Sequence, residues 1–122
     1  VYQNLLERTA DVGGKAYWVS ELDSGKISAD FFVNAVINAA KDPSATDPQT
    51  LLDAKVIENK VQSAQYFTSK TQTATVSDSN FLAQAKAAVD NVSSDVNTVK
   101  AANTASDAYA TTLPAPSLSS YD

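Results

Sequence analysis

Apolar side chains in this chain recur every three to four positions along several stretches, and no stretch sustains apolar–polar alternation at period two. The first stretch places Val1, Tyr2, Leu5 and Leu6 on one face of a helix ending near Glu7. It opens without a capping residue, so that helix is expected to start upstream of residue 1. A loop from Arg8 to Gly14 follows. The second helix is predicted from about Gly14 to Asp23, burying Tyr17, Trp18 and Leu22, and Ser24-Gly25 closes it with a left-handed glycine cap. Ser28 is placed to cap a third helix whose buried stripe is Phe31, Phe32, Ala35, Val36 and Ala39.

A turn-rich connection, Asp42 to Pro48, leads into the longest element. Asp47 as N-cap and Pro48 at the first helical position open a helix to about Ser69, with Leu51, Leu52, Val56, Val61, Ala64 and Phe67 as its apolar line. Its register shifts near Ile57–Lys60, which predicts a bend or a change of partner there. After the Thr-rich segment 71–77, Asp78 is expected to cap a fifth helix with Phe81, Leu82, Ala85, Ala88 and Val89 inward. Asn91–Ser94 breaks it. A sixth runs from about Ser94 to Ala108, with Val96, Val99, Ala102 and Ala105 facing in. The pattern predicts an all-α compact bundle of about six short-to-medium helices over residues 1–109. Residues 110–122, rich in Pro and Ser, are expected to form an extended tail or linker.

Composition narrows the chemistry. The 122 residues carry 9 basic and 14 acidic side chains, a net charge of −5, and no His, Cys or Met. A zinc site of His and Cys, a Cys nucleophile, a Ser-His-Asp triad and a disulfide are therefore excluded. Any metal would be a hard cation such as calcium, held by oxygen. An acidic chain without a Lys/Arg cluster is not expected to bind nucleic acid, and without a long apolar run it is not expected to insert into a membrane.

The unusual residues concentrate in one segment, Arg8-x-x-Asp11-x-Gly13-Gly14-x-x-Tyr17-Trp18. Read structurally, Asp11 caps the next helix or pairs with Arg8, the two glycines allow a sharp turn, and Trp18 anchors the core. Read functionally, Arg8, Asp11, Tyr17 and Trp18 form a ligand groove with an aromatic platform of the kind that takes sugars. For calcium, the acidic turns offer Asp11, Asp42 and Asp47, although none has the dense spacing of an EF-hand loop and Asp47 also serves as a helix cap. Glu7, Glu21 and Glu58 read as solvated faces rather than a catalytic carboxylate pair, and Gly13-Gly14 lacks the Lys-Ser/Thr that follows a phosphate-binding loop. No catalytic residues are expected.

The run Val1-Tyr2-Gln3-Asn4-Leu5-Leu6-Glu7-Arg8-Thr9-Ala10-Asp11-Val12-Gly13-Gly14-Lys15-Ala16-Tyr17-Trp18 resembles the opening of the bacterial domain-of-unknown-function family 4214. Its signature is an aromatic-Leu-Leu-Arg helix, Asp-x-x-Gly and Tyr-Trp. Leu22–Ser28 fits the family's Leu-x-x-Gly-x-Ser turn, and Asn59-Lys60 with Ala64, Tyr66 and Phe67 resembles a later stretch of one subgroup. Thr9-Ala10 stands where the family usually has Asp-Pro. A weaker similarity, to phycobilisome linker domains, shares the first helix. The family resemblance implies a non-catalytic extracellular or cell-surface module, as in S-layer proteins and calcium-repeat proteins exported by type I secretion. The implied partners are other copies or domains of a surface protein, or cell-surface polysaccharide. The alternative it leaves is a spacer or accessory domain of a secreted hydrolase or toxin.

Overall fold

The structure, a computed structural model, describes residues 1–75 and 79–115. Among them it is all-α, with six α-helices: α1 (Tyr2–Leu6), α2 (Val12–Asp23), α3 (Phe32–Ala40), α4 (Pro48–Lys70), α5 (Ser79–Asp90) and α6 (Val96–Ala110). The expected cap Asp78 and the Pro/Ser segment from residue 116 lie outside the described residues. The packing groups the chain into two compact units, residues 1–58 and 59–122, and the division falls inside α4.

The first unit is built around Trp18. Leu6, Val36, Ala40 and Ile57 are buried with it, and Tyr2, Leu5, Ile27 and Phe32 pack against that cluster. α1 ends at Glu7, whose φ of 55° is the left-handed conformation usually left to glycine. α2 starts two residues earlier than its pattern predicts, so Gly13 and Gly14 lie in its first turn instead of in the loop before it. Gly25 has φ 76° and takes the left-handed position just past the helix end, as expected. Ser28 stands at the expected cap position with extended backbone, but its hydroxyl makes no cap bond, and a single 3-10 turn, Ala29–Phe31, precedes α3. Phe31 and Ala39, expected inside, are exposed, and Ala40 is buried in their place.

The second unit packs the end of α4 against α5 and α6. Phe67, Ala88 and Tyr109 form one cluster, joined by Phe81, Ala85 and Leu113, and Val92, Val99 and Ala102 form another. Phe67 stacks nearly parallel to Tyr109, with ring centroids 6.1 Å apart. Two polar side chains of α4 serve backbone carbonyls at and just past the C-terminus of α5, where a helix leaves them without internal partners. Lys60 Nζ donates to Val89 O (2.6 Å) and Asn59 Nδ2 to Ser93 O (2.9 Å), which holds the end of α5 and the loop after it. Asp95 caps α6 by accepting from Asn97 N. Past α6 the chain does not extend at once: it turns at 111–113, Leu113 packs on the aromatic cluster, and Thr73 Oγ1 donates to Pro114 O (2.6 Å).

Candidate functional site

The left-handed turn at Glu7 delivers Arg8 back over its own helix, with the guanidinium 4.9 Å from the centre of the Tyr2 ring. From there Arg8 Nε donates to Asp53 Oδ1 (2.8 Å) and Nη2 to Oδ2 (2.7 Å), a two-pronged match of planar fork to carboxylate. Gln49, one turn earlier on α4, also donates to Asp53 Oδ1 at 3.0 Å. Hydrogen bonding to Asp53 raises the guanidinium above its already high pKa, against the opposing effect of partial burial. The Tyr2 hydroxyl, on the other side, accepts the indole N–H of Trp18 at 2.8 Å. Residues from α1, α2 and α4 are thus joined by one polar chain beside the apolar core.

Asp11 resolves its two sequence-level options in favour of capping: its carboxylate accepts the N–H of Gly14, and Arg8 pairs with Asp53 instead. A Cβ at residue 14 would stand 2.8 Å from Asp11 Oδ1 and 3.2 Å from the Tyr2 hydroxyl, so a side chain there would displace the Asp11 cap. Asp42 accepts both the N–H and the hydroxyl of Ser44, which hold its carboxyl below the usual carboxylate range. Asp47 caps α4 through the N–H (3.0 Å) and hydroxyl of Thr50. All three aspartates named for calcium are therefore engaged by neighbours two or three residues on. Among the described residues no three acidic side chains gather into a cation site.

Trp18 is 8% exposed and meets Tyr17 and Phe32 edge to face, with centroids 4.9 and 5.7 Å away. Little of its surface is left for a sugar to stack on. Arg8, Tyr17 and Trp18 line one cleft of about 200 Å³ together with Asp53, while Asp11 is not part of it. A larger open groove of about 480 Å³ lies along α2, walled by Tyr2, Trp18, Leu22 and Phe32, with Arg8 and Lys15 its only charged side chains. Beside it α2 exposes Val12 (89%) and Val19 to solvent. Asp53 and Lys15 were not singled out from sequence. Asp53 lies 45 positions from the arginine it holds, and no local spacing signals such a pair.

The described residues form a helical scaffold with an apolar groove along α2. Residues 1–40 match the model of a family described as Domain of unknown function (DUF4214), which supports the resemblance read from the opening helix, Asp-x-x-Gly and Tyr-Trp. No curated protein and no solved structure matches the chain.

Proposed function

We propose that this chain is a non-catalytic attachment module of an exported or cell-surface bacterial protein, docking a partner protein or another copy in the groove along α2. The observation that carries this reading is the division of labour within the segment 8–22. The polar groups of Arg8, Asp11 and Trp18 are engaged by Asp53, Gly14 and Tyr2, while Lys15, Val19 and Leu22 line an apolar groove of ligand-sized volume. Apolar walls beside the Lys15 ammonium suit a protein segment that presents an apolar anchor next to a carboxylate. The extracellular setting is supported by the family resemblance and by the acidic, cysteine-free composition.

The test uses the parent protein in its own bacterium. Lys15→Glu and Val19→Glu, both on exposed positions, are expected to release it from the cell surface without altering its helicity by circular dichroism. Attachment unchanged by either variant or by deletion of residues 1–110, with only a neighbouring activity altered, would instead make the module a spacer.

A further inference from the structure

We propose that the exposed face running from Ser28 to Asn38 is a binding site for an uncharged carbohydrate, separate from the α2 groove and not dependent on its reading. Adjacent phenylalanines part company here. Phe32 turns in to Trp18, whereas Phe31 stands 65% exposed at the start of α3, the most exposed aromatic ring among the described residues. It borders a shallow hollow of about 450 Å³ shared with Ile27, Ser28, Asn34 and Asn38. Asn34 and Asn38, one turn apart on α3, line the same hollow as Phe31, which ends the 3-10 turn before that helix. Neither amide takes part in a hydrogen bond within the structure, and the Ser28 hydroxyl is not used on the helix it precedes.

The chemistry of this set points to a sugar. Amides and a hydroxyl both donate and accept, as do vicinal sugar hydroxyls. An open ring offers an apolar plate to the C–H face of a pyranose. The hollow's one charged side chain, Lys26, stands out in solvent 3.9 Å from Glu21, and the rest of the lining is uncharged. A peptide is less well matched, since the hollow is shallow and lacks the enclosed apolar pit in which an anchor side chain is held.

Heteronuclear NMR titration of the full chain with chitotetraose, cellotetraose, maltotetraose and mannotetraose, each at millimolar concentration, tests this. At least one is expected to shift the side-chain amide signals of Asn34 and Asn38 and the ring signals of Phe31. Phe31→Ala and the double variant Asn34→Ala/Asn38→Ala should each weaken that binding by about tenfold, the worth of a ring contact or a hydrogen bond. Circular dichroism checks that both variants fold, and Phe31→Leu keeps the local packing if Phe31→Ala does not. The proposal is overturned if none of the four sugars shifts these signals, if shifts map elsewhere, or if only a sulfated oligosaccharide binds and Lys26→Ala abolishes it.

Discussion

Asp53→Ala would leave the Arg8 guanidinium, with a side chain only 23% exposed, facing the space its carboxylate occupied. An unpaired charge in that setting costs more than the pair itself contributes, and a loss of about 2–3 kcal/mol in urea unfolding is expected. Arg8→Met/Asp53→Leu should recover a large part of it, because both desolvation penalties vanish together. Ser63 carries the opposite sign: its hydroxyl is fully buried in α4 and has no partner, so Ser63→Ala is expected to stabilise by about 1 kcal/mol. Tyr66 donates to Asp107 Oδ1 at 2.6 Å, and that bond raises the phenol's pKa above its usual value. A raised native pKa contributes stability that is fully present below pH 10 and is lost as pH climbs through the native value. In an ultraviolet titration Asp107→Asn should move the ionisation of Tyr66 to lower pH, identified by its loss in Tyr66→Phe. The pairing of Arg8 shows where single residues stop being legible. Sequence marks the arginine as unusual, but chain proximity suggests Asp11, while the fold supplies Asp53.

Among the elements, α2 makes the sharpest distinction between two neighbouring glycines. Gly13→Ala meets nothing closer than 3.9 Å and should stabilise the helix by up to about 1 kcal/mol through propensity alone. Gly14→Ala drives its methyl into the Asp11 cap and should cost about 1–2 kcal/mol, read as a lower thermal midpoint. Helix existence and the caps at Asp11, Asp47 and Gly25 were readable because each rests on local chemistry. The inward faces were less so. In α4 the buried line runs through Asp53, Val56, Ile57, Asn59, Ser63 and Phe67, whereas Leu51, Leu52 and Val61 are exposed. Apolar periodicity follows hydrophobicity, and here half of the interior positions are polar groups. Asp53 and Asn59 find partners across the fold, and Ser63 is small enough to pack. The register change foreseen near Ile57–Lys60 coincides with the division between the two units. In α6 Val96, expected inside, is exposed, and Ser106 is buried.

For the molecule as a whole, composition was the stronger guide to what the chemistry can be, and geometry to where it sits. A calcium ion bound only to the folded chain would raise its melting temperature. Because Asp11, Asp42 and Asp47 each hold a local N–H, the midpoint in millimolar calcium is expected to match that in chelator. A rise would show that one of these turns rearranges to take the ion. Among the described residues no helix is long and apolar enough to cross a membrane. Trp18 is the chain's single tryptophan, and its ring nitrogen is tied to Tyr2 beside the Arg8–Asp53 fork. Nature has thereby installed one optical probe at the junction of three helices, so the colour of its emission gives a label-free reading of whether that junction is closed.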